Sequence, residues 1–334
     1  MSLERAWYQP AAWLTLLRPL SLLFGYLAKR RRIRLSAEAQ GPCKPILIIG
    51  NIAVGGSGKT PLILALAEIA KSRGIKVGVI SRGYGGQSKH YPLAVSPSSS
   101  ADQVGDEPLL IARRAGVPVV VDPDRVSAAN YLAENFPVDL ILSDDGLQHY
   151  ALKRSAEWIV VDAMRGLGNQ KLLPEGPLRE PVSRLNEAAL VLLNGEGVFD
   201  YPGAIRFNLV PDQLVSLNTG DALPASFEVL GSTRVNAVAG IGDPNRFFNT
   251  LELLGFSLNR YPLKDHQKID SGLLAQISND PIIMTEKDAV KCGSEMPTNS
   301  WYLSVTAQFD AASATLLADT LLDLINDFGE QHGS

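Results

Sequence analysis

Residues 53–61 read AVGGSGKTP and follow directly on the apolar run PILIIGN, and no other stretch limits the possible folds so tightly. A glycine-rich turn leaves backbone N–H groups free to point at phosphate oxygens, and a helix starting at its end adds its positive pole. In such a loop Gly55, Gly56, Ser57 and Gly58 form the cradle, Lys59 reaches the β- and γ-phosphates, and the Thr60 hydroxyl takes a place on Mg²⁺. The usual pattern has Gly six residues before the lysine; Ala53 stands there, so the loop is a variant. Taken alone, it could also be a glycine-rich turn with a surface lysine. The strand before it and the helix after it favour a P-loop, and with it ATP or GTP chemistry.

The helical run TPLILALAEIAKSRG is followed by the buried-strand patterns KVGVIS, VPVVV, VDLILS, EWIVVD and AALVLLN. Short apolar runs alternating with helical segments predict a parallel sheet covered by helices on both faces, with ligands at the strand C-terminal ends. The pattern restarts near Val235 with VNAVAG, a helix opened by Asp243 and Pro244, the strand PIIMT, the strand WYLSV and the amphipathic helix ATLLADTLLDLINDF. The expected fold class is therefore α/β: a P-loop NTPase-type parallel sheet plus a smaller C-terminal α/β lobe and an N-terminal membrane-associated helix. The expected divisions are 1–35, 36–230 and 231–330, with 209–234 joining the two lobes and a cleft between them as the site.

The N-terminal segment AAWLTLLRPLSLLFGYLA places Trp13, Leu16, Leu17, Leu20, Leu23, Phe24 and Leu27 at helical spacing. Arg18 and Pro19 interrupt it, and the run is short for a bilayer span, so it suits the interface better. Lys29, Arg30, Arg31, Arg32 and Arg34 follow at headgroup level for an anionic membrane surface. Basic residues after the apolar run are the reverse of a secretory signal and keep the rest of the chain cytoplasmic. A helix packed on the protein's own core, with a solvated basic end, is the alternative.

Elsewhere the composition is that of an ordinary globular protein, 46% hydrophobic and 20% charged, and the net charge of −4 gives no global reason to expect nucleic acid. Two cysteines far apart, Cys43 and Cys292, indicate neither a disulfide framework nor zinc. The polar stretch SPSSSADQ reads as a loose loop. No obligate protein partner is indicated.

Asp144 and Asp145 end the strand VDLILS, where a carboxylate must sit to hold Mg²⁺ opposite a P-loop. Side chains alternate along a strand, so only one of the pair is expected to face the metal directly. Gln148 and His149 follow in DDGLQH, in reach of phosphate or of the carboxylates. Asp106 and Glu107, in GDEP, read simply as acidic residues opening a helix. DHQ at 265–267 is only a polar cluster, while Arg82 in SRGYGG and Arg179 in LLPEGPLREP are either phosphate ligands or solvated.

Taken in order, GNIAVGGSGKTP, SRGYGG, GDEP, DDGLQH, LLPEGPLREP, AGIG with RFF, DHQ and TEKDAVK closely resemble the tetraacyldisaccharide 4′-kinase family over nearly the whole chain. That resemblance implies phosphorylation of the 4′-hydroxyl of an acylated glucosamine disaccharide 1-phosphate, with ATP and Mg²⁺, at the cytoplasmic face of the bacterial inner membrane. It makes the N-terminal segment a monotopic anchor. It implies Asp106 as catalytic base with His266 and Asp265 as partners, Lys59 and Thr60 for the nucleotide, and Asp144 and Asp145 for Mg²⁺. Members commonly carry two histidines after Asp265; this chain has Gln267 at the second. The competing class is a membrane-attached P-loop switch or partitioning ATPase acting on a protein. Such proteins usually carry a lysine early in the loop, where Val54 stands here, and a GTPase needs an NKxD-like base reader whose spacing TEKD lacks.

Overall fold

The computed structural model describes residues 3–264, 280–292 and 296–332, with 269, 272 and 277 between them. DHQ at 265–267, and with it Asp265, His266 and Gln267, lies outside the described residues.

The strands are β1 Ile46–Gly50, β2 Val77–Ser81, β3 Leu93–Ala94, β4 Val119–Val121, β5 Leu140–Asp144, β6 Ala156–Asp162, β7 Leu190–Asn194, β8 Ile205–Ser216, β9 Ala222–Pro224, β10 Arg234–Ala239, β11 Ser257–Pro262, β12 Ile282–Thr285 and β13 Ser300–Gln308. They join in one sheet of order β11-β10-β12-β13-β8-β7-β6-β1-β5-β2-β4-β3, with β9 on β8. The half around β1 is parallel apart from its short edge strand β3, as strands buried on both faces require. All five residues of β1, β2 and β5 are buried. One core layer packs the P-loop helix Lys59–Ser72 and the helices Asp106–Ala115 and Ala311–His332 on one face, and a second layer covers the other face with Arg125–Asn135.

The stretch expected to join the lobes is itself largely sheet. Strand β8 pairs in parallel with β7 through Phe207, then antiparallel with β13 from Asn208 to Ser216. One continuous backbone therefore carries the change from one half-sheet to the other. Composition hid this, because the middle of β8, from Asn208 to Gln213 around Pro211 and Asp212, has no buried residue. The serine-rich stretch, read as a loose loop, is a hydrogen-bonded turn instead: the Ser96 amide donates to Ser99 Oγ (3.0 Å), and Ser100 caps the helix Ala101–Val104.

At the N-terminus, a 3-10 turn Ala12–Leu17 leads into the helix Arg18–Ala37, with Pro19 in its first turn. Only Ser21 of that helix is buried. It docks through polar contacts: Ser21 Oγ donates to the Leu172 carbonyl (2.8 Å), Arg18 pairs with Glu175 (3.0 Å) and Arg32 with Glu187 (2.5 Å). Leu16, Leu20, Leu22, Leu23, Tyr26 and Leu27 are all more than half exposed. Ser21, Gly25 and Arg32, four and eleven residues apart, share the docked edge, and the leucines cover the opposite arc. No helix among the described residues is long and apolar enough to cross a membrane.

Candidate active site

The P-loop sits at the C-terminal end of β1, and its shape explains the missing first glycine. Ala53 bridges antiparallel to Leu178, and the Val54 amide donates to the Pro177 carbonyl (2.9 Å). This end of the loop is extended backbone held by the LLPEGPLREP segment, a conformation that needs no glycine. Further on glycine is needed. Gly58 has φ +89°, and a Cβ there would lie 2.6 Å from Asn194 Nδ2, which donates to the Ser57 carbonyl at 3.1 Å. Asn51 Nδ2 donates to the Gly55 carbonyl (3.0 Å), so the loop is braced from both sides.

Lys59 lies 3.5 Å from Asp145 Oδ1, and Arg179 forks onto both Asp145 oxygens at 3.1 and 3.2 Å. Arg179 also contacts the Asn51 side chain. Asp145 has φ +50°, a backbone conformation uncommon outside glycine, and this turns its side chain toward the two cations. Burial opposes ionisation of Asp145, but Lys59 and Arg179 outweigh it and hold the carboxyl well below the usual range. Asp144 is in the opposite condition. Burial, reinforced by the Glu107 carboxylate and opposed by Lys59, pushes it up to about 7. Ser81 Oγ, at the end of β2, donates to Asp144 Oδ2 (3.2 Å), and buried Arg125 holds the Asp144 carbonyl (3.0 Å).

Asp144 Oδ1 and Ser57 Oγ are buried without a hydrogen-bond partner among the described residues. Unsatisfied polar atoms at the end of a P-loop strand fit a bound group, and an oxygen set of the Thr60 hydroxyl and Asp144 carboxylate fits a hard divalent ion completed by phosphate and water. The residues therefore fit Mg²⁺ with a nucleotide.

Asp106, 5% exposed, starts the helix Asp106–Ala115 and shares the acidic edge of the site with Glu107. Backbone approach fixes this position: Gly105 has φ +87°, and a Cβ there would meet the Tyr84 carbonyl at 2.6 Å. SRGYGG and GDEP thus lock together, a role for SRGYGG that neither phosphate binding nor solvation of Arg82 describes. From the far half-sheet Lys287 reaches Glu107 (3.1 Å) and Asp106 (3.8 Å). Burial raises Glu107, but Lys287 and Lys59 overcome it and leave the group below its ordinary value. Fully buried Asp288 accepts from the Gly240 amide (2.9 Å), so the turn carrying Lys287 is tied to AGIG. Past AGIG, Arg246 pairs with Asp162 (3.0 Å) and donates to Asn194 (3.3 Å).

The structure brings together Lys59, Asp144 and Asp145 directly, and Glu107 couples them to Asp106. Gln148 is already engaged, donating to buried Glu180 (2.6 Å), which Arg184 also holds (2.6 Å). Burial and the Arg125 and Arg82 cations lower His149 to about 4, so it is neutral at pH 7. Sequence reading passed over Lys287, Asn194, Arg246 and Ser81. Asn194 and Ser81 had a signal, each ending a buried parallel strand where ligands collect.

A P-loop on a parallel sheet, with a strand-end aspartate pair and a buried acidic helix start facing it, defines a nucleotide-dependent phosphotransferase site. Comparison with known proteins makes this specific. The family model described as tetraacyldisaccharide-1-P 4′-kinase matches residues 13–323. The chain is 47% identical over 320 residues to the tetraacyldisaccharide 4′-kinase of Alcanivorax borkumensis, covering 96% of each. It is also 47% identical to that of Azotobacter vinelandii, over 95% of this chain and 98% of the relative. A crystal structure of LpxK from Aquifex aeolicus in complex with ATP superposes with a TM-score of 0.75 at 25% identity, covering 94% of this chain and 99% of that one. The chain belongs to the tetraacyldisaccharide-1-P 4′-kinase family.

Proposed function

We propose that this protein transfers the γ-phosphoryl group of ATP to the 4′-hydroxyl of a tetraacyldisaccharide 1-phosphate, giving lipid IVA in lipid A biosynthesis. The observation that carries this is the meeting of the P-loop lysine with the Asp144–Asp145 pair and, through Glu107, with Asp106, in a chain of this family. The ATP seen in the Aquifex aeolicus structure supports ATP as donor.

In this reading the amides of Gly55, Gly56, Ser57 and Gly58 and the Lys59 ammonium hold the β- and γ-phosphates. Thr60 and Asp144 hold Mg²⁺, which when bound neutralises phosphate charge. Asp145 orients Lys59 and, with Arg179, keeps it from the metal ligand beside it; the Lys59–Asp145 Oδ1 distance is 3.5 Å. The 4′-oxygen forms a bond to the γ-phosphorus, the bond to the β–γ bridging oxygen breaks, and ADP leaves. Asp106 accepts the hydroxyl proton, assisted by His266 and Asp265. Positioning and charge stabilisation supply most of the acceleration in such a transfer.

The exposed leucines of the N-terminal helix and its basic end lie in the anionic interface at the cytoplasmic face of the inner membrane, where the acylated substrate resides. The division into 1–35, 36–230 and 231–330 belongs to the same reading, with Lys287 and Arg246 as the cross-connections of the last part. A thin-layer assay with γ-labelled ATP and acylated disaccharide tests the proposal. Label in the glycolipid supports it; phosphate release without a labelled lipid supports a switch ATPase.

A further inference from the structure

The segment before the amphipathic helix is built into the back of the P-loop. Trp7 and Leu14 are buried and pack on Val54, the second residue of the loop motif. The Trp7 carbonyl accepts from the Asn169 amide (2.9 Å), and its indole donates to the Pro174 carbonyl (3.1 Å). Tyr8 lies next in the chain. Its ring carries the Arg165 guanidinium at 4.9 Å from the centroid, within the range of a cation–π contact. The same guanidinium lies close to the P-loop, since a Cβ on Gly55 would fall 2.6 Å from an Arg165 terminal nitrogen. The base of Arg165 is fixed as well: its amide donates to Asp162 Oδ1 (3.1 Å), while Oδ2 of the same carboxylate holds Arg246. A half-open pocket lined by Tyr8, Asn51, Gly55, Ser57, Asp162 and Arg165 has about 20 Å³, room for one water. The stack leaves little room beside the Gly55 turn.

We infer that Tyr8 and Arg165 are positioning residues for the nucleotide: the Tyr8–Arg165 stack props the Gly55 turn of the P-loop, making the N-terminal segment a component of the ATP site as well as an anchor. Neither side chain belongs to the loop motif, and they lie far apart in the chain, so only the fold joins them. A P-loop binds phosphate through backbone amides, whose aim depends on what supports the turn from behind. The inference rests on the kinase reading for its ligand, and it concerns affinity for nucleotide, not the chemical step.

The test measures ATP binding by calorimetry on the full-length protein in detergent, together with KM for ATP and for acceptor. Arg165→Ala and Tyr8→Ala should each raise the ATP Kd about tenfold, ~1.4 kcal/mol, within the range of a partly desolvated cation–π contact. The double variant should be no worse than either single, because both remove one prop. KM for the acylated acceptor should not change, and Tyr8→Phe, which keeps the ring under the guanidinium but loses the hydroxyl's hydrogen bond with Arg165, should recover part of the affinity lost in Tyr8→Ala. A global folding defect would instead lower the melting temperature and move both KM values together, which overturns the inference, as does an unchanged ATP Kd in Arg165→Ala or additive losses in the double variant. Wild-type protein that bound no ATP would remove the kinase reading itself, a result distinct from wild-type binding matched by Arg165→Ala.

Discussion

Asp144 and Asp145 are neighbours in sequence with opposite electrostatic surroundings, so removing their charges one at a time should move stability in opposite directions. Asp144 is buried, and burial raises it from the ordinary aspartate range to about 7. A carboxyl raised by folding binds its proton more tightly in the native state. Below about pH 4 both states are protonated and the group contributes nothing. As pH rises through 4 to 7 the unfolded chain ionises first, so stability falls, and above about 7 the full cost remains. That difference sets an upper bound of about 4 kcal/mol at pH 8, at ~1.4 kcal/mol per pH unit. Asp144→Asn removes the penalty and keeps the shape. In metal-free buffer with chelator, the variant should melt up to about 8 °C higher at pH 8, taking roughly 1–2 °C per kcal/mol for a chain of this length. Its advantage should vanish near pH 4. Asp145 is depressed by Lys59 and Arg179, so its contribution is present above about pH 4 and lost as pH falls below that. Asp145→Asn should therefore lower the melting temperature at pH 8. Differential scanning calorimetry from pH 4 to 8 reads both. Equal destabilisation by the two substitutions at pH 8 would refute the opposed environments.

Other consequences follow from the same geometry. Asp106→Ala should reduce turnover by about 10² to 10⁴, the range of general-base catalysis, with ATP affinity retained; equal loss of both would count against the role. Arg184→Met strands Glu180, whose side chain is 3% exposed, and should destabilise the fold by about 3–5 kcal/mol in chemical denaturation. Lys287→Ala leaves Glu107 without its nearest cation, so the Glu107 pKa should rise, and carboxylate NMR of a selectively labelled sample would show it. Association with anionic vesicles should weaken as salt rises from low ionic strength to 0.5 M, on the order of a Debye length of 4 Å, and salt-insensitive binding would argue against the Lys29–Arg34 cluster.

Much of the architecture was legible because buried parallel strands read as short unbroken apolar runs, so β1, β2, β5, β6 and β7 announce themselves. Strand β8 did not, since one half of it serves each half-sheet and neither gives it a continuous apolar face. Around the P-loop, the contact of Lys59 with the aspartate pair was readable from local motifs. The local pattern at Asp106 permits a helix start and no more; its burial and the contacts of GDEP with SRGYGG come from tertiary structure. Lys287 and Arg246 were invisible for a similar reason: their carboxylate partners stand 180 and 84 residues away. Ala53 looked like a defect in the loop motif and is instead an extended residue paired with Leu178.

In the proposed reaction a triphosphate held at Lys59 gives its γ-phosphoryl group to a sugar hydroxyl. Mass spectrometry of the acylated disaccharide 1-phosphate after incubation with ATP, Mg²⁺ and purified protein addresses it most directly. The expected product is heavier by one phosphoryl group, with fragmentation placing it on the 4′-oxygen, and none forms with Lys59→Ala. A glycolipid of unchanged mass, or equal conversion by Lys59→Ala, would contradict it.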